Sequence, residues 1–163
     1  MENIQTITPC LWFDGQAEEA ATFYTAIFKN SSIGHVTRVN EVSARASGQP
    51  VGSVLTIDFQ LDGRPFTGLN GGPMFKFNEA ISLQINCQTQ DEVDDYWAKL
   101  SADPESERCG WIKDKFGVSW QVVPIVLFKM LADHDSARSQ RVMQAMLQMR
   151  KLDIGELERA YAG

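Results

Sequence analysis

The same pattern of apolar and polar positions occurs twice along the chain. Residues 9–28 show a short apolar strand, a polar break and then an amphipathic helix that carries Tyr24. Residues 82–100 repeat this order 73 positions later, with Trp97 in the matching place. Alternating apolar residues predict strands, and apolar residues at helical spacing predict helices. Each copy is therefore predicted to be a strand–helix unit, and the repetition predicts two related modules.

Further strand-like runs complete both modules. After the first helix the pattern predicts three strands, over residues 32–40, 51–61 and 65–69. After the second helix it predicts two, over residues 109–114 and 119–123. The modules are therefore βαβββ and βαββ, and the second is 19 residues shorter between its helix and its last strand. That difference is about one strand with its connection.

Polar, glycine-containing and proline-containing stretches predict the connections. The Asp-Gly pair at 62–63 is a strong signal for a hairpin between the last two strands of the first module. The polar segment 43–49 predicts a loop, and the Gly- and Pro-containing segment 70–80 predicts the linker between the modules. Beyond residue 124 the spacing predicts helices, with Ser136 or Ser139 as a cap in the middle one.

Charge and cysteine usage narrow the class of protein. The net charge is −6 with a pI near 4.9, and the chain holds no basic run, so we expect no nucleic-acid partner. The 3 cysteines are an odd number without the spacing of metal sites, which favours free thiols in a reducing compartment. No secretory signal and no long apolar run are visible. We therefore expect a cytoplasmic protein without a membrane partner.

Several motifs carry a resemblance to a known family. They are PCLWFDGQAEEAATFY at 9–24, LDGRPFTGLNGGP at 61–73, FKFNE at 75–79, CGWIKDKFGVSWQVVP at 109–124 and, in the tail, RVMQAMLQM at 141–149. On these motifs the chain resembles the vicinal oxygen chelate superfamily, which includes glyoxalase I, extradiol dioxygenases and fosfomycin-resistance proteins. Within it the chain looks like the PhnB-like branch, whose members are often described as 3-demethylubiquinone-9 3-methyltransferase domain proteins.

The resemblance implies a fold and an assembly. We expect an α+β, glyoxalase-like fold in which two βαβββ-type modules, the second shortened, form a cupped mixed sheet. Module one spans about residues 4–72, module two about 79–124 and a helical extension 125–163, all within a single domain. Superfamily members of this size commonly dimerise by completing one another's barrels, so the shortened second module predicts a homodimer.

The resemblance also locates the positions that would hold a metal ion. Metal enzymes of the superfamily take one ligand from the first strand and one from the last strand of each module, which here are Pro9, Thr67, Ser82 and Gln121. Protein metal sites use imidazole, carboxylate or thiolate groups, and only Gln121 offers even a weak oxygen donor. We therefore expect no metal and no other cofactor.

Strand alternation predicts a small-molecule pocket on the same face as those positions. The pocket candidates are Leu11, Thr67, Leu69, Ser82, Gln84, Ser119 and Gln121, with Trp111 and Trp120 as stacking partners. Hydroxyl and amide groups among apolar neighbours are typical of recognition pockets. The alternative is that the polar residues merely fill a narrow sheet interior and that the tryptophans are core residues.

Three functions remain open at this point. We favour a metal-free small-molecule-binding protein with no assigned reaction. The second is a glyoxalase- or dioxygenase-type enzyme with atypical ligands. The third is the methyltransferase of the family description, which in its common form needs a Gly-rich turn leading from a strand into a helix. Here Gly71 and Gly72 are followed by Pro73 and an aromatic stretch instead, and the sequence identifies no catalytic residue.

Overall fold

Both halves of the repeat are present in a computed structural model, which describes residues 5–163. The chain divides into two compact units, Met1–Lys76 and Phe77–Gly163, and the boundary lies within the linker predicted at 70–80. Helix α1 spans Ala17–Ile27 and its counterpart α3 spans Gln90–Leu100, so both ends are 73 residues apart. The repeat predicted from the apolar pattern is confirmed.

The first unit has the predicted βαβββ order with one added helix. Its elements are β1 (Cys10–Phe13), α1, β2 (Ser32–Arg38), α2 (Glu41–Ser47), β3 (Val54–Leu61) and β4 (Arg64–Asn70). The sheet order is β1-β4-β3-β2, in which β1 and β4 are parallel and the other pairs antiparallel. Helix α1 packs on β3 and β4 through buried Ala20 and Tyr24. Asp62 and Gly63 form the predicted hairpin turn, both with positive φ.

Helix α2 replaces the loop predicted over residues 43–49. Its start is a capping box, in which Asn40 Oδ1 accepts hydrogen bonds from the backbone N–H groups of Val42 and Ser43. The Ser43 hydroxyl accepts the Asn40 N–H in return. Gly48 ends the helix with φ 73°. The prediction was wrong because the helix has no buried residue, so caps hold it and no apolar stripe marks it.

The second unit has the predicted βαββ order followed by helices. Its elements are β5 (Leu83–Cys87), α3, a 3₁₀ turn (Pro104–Ser106), β6 (Trp111–Lys113), β7 (Ser119–Pro124), α4 (Ile125–Leu131), α5 (Ser136–Leu147) and α6 (Ile154–Ala162). The sheet order is β5-β7-β6, with β5 parallel and β6 antiparallel to β7. Thr89 caps α3. Helix α5 is capped by Asp135, so the prediction of Ser136 or Ser139 as its cap was wrong.

The C-terminal helices add their own apolar core to the second unit. That core is formed by Val123, Leu127, Met130, Val142, Leu152 and Leu157, all buried. Within residues 5–163 no helix combines the length and the apolar character needed to cross a bilayer. The α+β, glyoxalase-like class is confirmed, and the structure builds it from two small mixed sheets, one in each unit.

Candidate functional site

One face of the second sheet collects most of the predicted pocket residues. Gln84 and Trp111 both pair in register with Gln121, and Ser119 pairs with Lys113, so these side chains project to the same side. Gln121 Nε2 donates a hydrogen bond of 2.8 Å to the hydroxyl of Ser82. The structure therefore brings Ser82, Gln84, Trp111, Ser119 and Gln121 to one side of this sheet.

Trp120 lies on the opposite face of the same sheet. It is 3% exposed, and its indole Nε1–H donates a 2.7 Å hydrogen bond to Asp114 Oδ2. Asp114 is itself buried and also accepts the backbone N–H groups of Phe116 and Val118, which fixes the turn between β6 and β7. Trp120 is thus a core residue and is not placed to stack on a ligand beside Trp111. Asp114 was missed by the sequence analysis.

In the first unit the predicted residues divide between the two faces. Thr67 pairs with Cys10, and Leu69 pairs with Trp12, all on the face away from α1. Leu11 pairs with Gly68 and is buried on the face that α1 covers. The prediction that Leu11 shares a face with Thr67 and Leu69 was therefore wrong. The Thr67 hydroxyl donates a hydrogen bond of 3.0 Å to Asp58 Oδ1.

The four positions that superfamily enzymes use for metal ligands do not fit a metal ion. Pro9 offers only its carbonyl oxygen, which accepts the backbone N–H of Thr67 at 2.9 Å. The hydroxyl of Thr67 is bound to Asp58, and the amide of Gln121 is bound to Ser82. Elsewhere in residues 5–163, no group of three or more His, Cys, Asp and Glu side chains is placed to hold a metal.

The cysteine thiols on these sheets are not activated as nucleophiles. Burial raises the pKa of the Cys10 thiol. Burial, with a smaller contribution from Glu92, raises the pKa of Cys87 to about 12. Because the thiolate is the reactive form, both thiols remain protonated at neutral pH.

A cavity of about 420 Å³ lies in the second unit and contains two of the predicted residues, Trp111 and Ser119. Its remaining lining residues are Glu79, Glu105, Ser106, Arg108, Ile112 and Lys113. Ser119 is 2% exposed, and its hydroxyl oxygen has no hydrogen-bond partner among the described residues. Buried hydroxyls normally have a partner, so this one is an exception that needs an explanation.

Charged groups border this cavity. Lys113 Nζ lies 2.5 Å from Glu79 Oε1, and this hydrogen bond lowers the pKa of Glu79 below its ordinary 4.5. The guanidinium of Arg108 and the carboxylate of Glu105 form no ion pair within residues 5–163, and the Trp111 indole N–H makes no hydrogen bond there. The cavity therefore offers several hydrogen-bond donors and one unpaired carboxylate.

Two further cavities lie in the first unit. The larger, of about 900 Å³, is lined by residues at the ends of β1 and β4, including Asn70. The buried Asn70 amide is engaged at both its oxygen and its nitrogen, since it accepts the Ala17 N–H and donates to the Val54 carbonyl. The other, of about 350 Å³, includes Thr67 and its partner Asp58. Neither cavity contains an unpartnered buried side-chain polar atom among the described residues. The cavity in the second unit therefore has the stronger chemical basis as a ligand site.

Comparisons with known proteins agree with this architecture. The family model for 3-demethylubiquinone-9 3-methyltransferase matches residues 5–123. The structure is similar to that of the PhnB protein from Bacillus cereus, with 35% identity and a TM-score of 0.61, over 74% of this chain and 99% of that chain. It also resembles protein PA1353 from Pseudomonas aeruginosa in fold, with 17% identity and a TM-score of 0.54, over 74% and 98% of the two chains. Among proteins with curated descriptions, none matches. The chain belongs to the 3-demethylubiquinone-9 3-methyltransferase family and is PhnB-like.

Proposed function

We propose that this chain is a small-molecule-binding protein and that its ligand occupies the cavity of the second unit. The observation that carries the proposal is Ser119, a residue of the cavity wall whose buried hydroxyl has no hydrogen-bond partner among the described residues. Leaving a buried hydroxyl without a hydrogen bond costs about 1–3 kcal/mol. The oxygen is closed to solvent, so a ligand bonds to it once the Ser119 side chain rotates toward the cavity, and that bond then offsets the cost.

The remaining lining groups favour a ligand rich in hydrogen-bond acceptors. Within residues 5–163 the Arg108 guanidinium and the Trp111 indole N–H are unengaged donors, and Lys113 has further N–H donors beyond the one bound to Glu79. The half-buried Trp111 ring supplies a surface for a planar apolar group. Glu105 carries the opposing negative charge, so the lining suits a small carboxylate better than a multiply charged anion. We therefore assign the ligand to the class of small aromatic or otherwise planar organic acids.

Benzoate and benzamide form a matched pair of probes for this proposal. They have nearly the same shape, but only benzoate carries a charge that Arg108 can bind. By ligand-observed NMR, we expect benzoate to bind more tightly than benzamide. Arg108→Gln should weaken benzoate binding at least tenfold, because a hydrogen bond between charged groups contributes about 1.5–3 kcal/mol. The matched control is Arg64→Gln, an exposed arginine at the start of β4.

Other outcomes of the same titrations would favour the competing functions. Absence of binding of either probe to the wild-type protein would overturn the proposed ligand class. Micromolar binding of S-adenosylmethionine would instead support the methyltransferase named by the family description. Stoichiometric metal in the purified protein would support an enzyme of the glyoxalase or dioxygenase type.

We also propose that the chain forms a homodimer. The second sheet has three strands within residues 77–163, one fewer than the first sheet has within residues 5–76, and in the proposed dimer another copy supplies the missing strand. Sedimentation at micromolar concentration should give about twice the chain mass of 18.2 kDa. A monomeric mass would overturn this proposal.

A further inference from the structure

Two of the cavity-lining residues are carried by one tight turn. Arg108 and Trp111 are the first and last residues of this turn, and each donates its backbone N–H to the other's carbonyl, at 3.2 and 2.8 Å. The central residues, Cys109 and Gly110, have φ of 50° and 87°. This backbone conformation costs about 1–2 kcal/mol at a non-glycine residue. The position of both cavity side chains thus depends on a strained turn.

The connection between α5 and α6, residues 148–153, holds that turn from outside. The backbone N–H of Cys109 donates to the carbonyl of Met149 at 2.9 Å, and that of Gly110 donates to the carbonyl of Arg150 at 2.8 Å. Gly110 also lies so close to Leu152 that a Cβ at this position would be 3.0 Å from the leucine Cδ1. The outward-facing N–H groups of the turn therefore bond to the C-terminal extension.

Side chains of α3 bond to this connection and to the start of α6. The Gln90 side chain donates to the Leu152 carbonyl at 3.1 Å and accepts the Ile154 N–H at 2.8 Å. Lys151 Nζ lies 2.5 Å from Asp94 Oδ1. This contact, with a smaller contribution from Gln90, lowers the pKa of Asp94 below its ordinary value. A continuous set of contacts thus runs from α3 through the connection to the turn.

We propose that the C-terminal extension is a positioning element for the ligand cavity. It fixes the backbone of the turn that carries Arg108 and Trp111, and it thereby sets the affinity for the ligand. The matched region of the family model ends at residue 123, so the contacts that hold the turn come from outside that region. The effect of the extension on ligand affinity rests on the proposed function, whereas its effect on the turn does not.

The variant Gln90→Ala tests the proposal because it removes one hydrogen bond to the connection, at Leu152, and one to Ile154 at the start of α6, without altering any residue of the cavity. We expect the Cys109 and Gly110 amide hydrogens to exchange at least tenfold faster, as measured by NMR. Benzoate affinity should fall about fivefold. The matched control is Gln144→Ala, an exposed glutamine on α5.

The two measurements separate this inference from the proposed function. If the two amides in Gln90→Ala exchange as slowly as in the wild type, the connection does not depend on Gln90 and the inference is overturned. If they exchange faster while benzoate affinity is unchanged, the turn does not set the affinity and the inference is also overturned. If the wild type binds no benzoate, the proposed ligand class fails, and the exchange rates still decide whether the connection holds the turn.

Discussion

Replacing Ser119 by alanine should make the free protein more stable, which is unusual for a buried position. Ser119 is 2% exposed and its buried hydroxyl is unpartnered among the described residues, so the folded state bears the cost of removing that hydroxyl from water without a compensating bond. Deleting the oxygen removes that cost and leaves only a small void. From the usual 1–3 kcal/mol for an unsatisfied hydroxyl, we expect a gain of about 1 kcal/mol. For a chain of this length that gain raises Tm by about 3 °C.

The assay is urea unfolding followed by tryptophan fluorescence, with Ser101→Ala as the control. The Ser101 hydroxyl donates a 2.7 Å hydrogen bond to Glu107, so its removal should destabilise the protein by about 1 kcal/mol. In the presence of saturating benzoate the wild type should become more stable than Ser119→Ala, because the variant lacks the hydroxyl that bonds to the ligand. A loss of 1 kcal/mol or more in ligand-free Ser119→Ala would refute the reasoning, since it would mean that the hydroxyl has a partner in the folded protein.

Three further predictions follow from other contacts. Asp114→Ala should cost about 3–5 kcal/mol in urea unfolding, because it leaves two backbone N–H groups and an indole N–H unbonded; a cost below 1 kcal/mol would contradict this. Gly71→Ala should lower Tm by several degrees, because its Cβ would lie 2.2 Å from the Trp12 ring; an unchanged Tm would show that the ring can move freely. The pKa of the Glu79 carboxyl, followed by NMR, should lie below its ordinary 4.5 and rise in Lys113→Met, because the hydrogen bond to Lys113 is the largest cause of the lowering. The ion pair therefore persists above pH 4.5 and is lost as pH falls through the lowered pKa of Glu79. An identical titration midpoint of Glu79 in the wild type and in Lys113→Met would exclude the pairing.

The order of elements could be predicted from sequence because it depends on local patterns. Helices α1 and α3 bury one stripe each, at positions such as Ala20 and Val93 that the repeat aligns, so apolar spacing identified both. The hairpin at Asp62 and Gly63 was equally predictable, since few residue pairs adopt positive φ twice in succession. Helix α2 was not predicted because its stability comes from Asn40 and its capping box rather than from burial.

The faces of the strands were harder to predict because they depend on register between distant segments. The repeat makes Cys10 equivalent to Leu83 and Thr67 equivalent to Gln121. Cys10 pairs with Thr67, but Gln121 pairs with Gln84 rather than with Leu83. The two units therefore differ by one residue in pairing. A shift of one residue moves a side chain to the other face of a sheet, which is why Leu11 was assigned to the wrong side.

The chemistry of the cavity could be predicted only in part. Alternation along β6 puts Lys113 on the same face as Trp111, so this lysine was within reach of sequence reasoning. Arg108 and Glu79 belong to connections, and their approach to β6 follows from tertiary contacts that no local pattern encodes. The missing partner of Ser119 is likewise a property of its surroundings in three dimensions.

The central claim is that a small organic acid binds beside Trp111 and Ser119. Its most direct test is a benzoate titration of ¹⁵N-labelled protein, in which the four tryptophan indole N–H signals are followed. The account predicts a saturable shift of the Trp111 signal that is larger than the shifts of the other three and is weakened in Ser119→Ala. A Trp111 signal that does not move at millimolar benzoate, or that moves equally in Ser119→Ala, would contradict it.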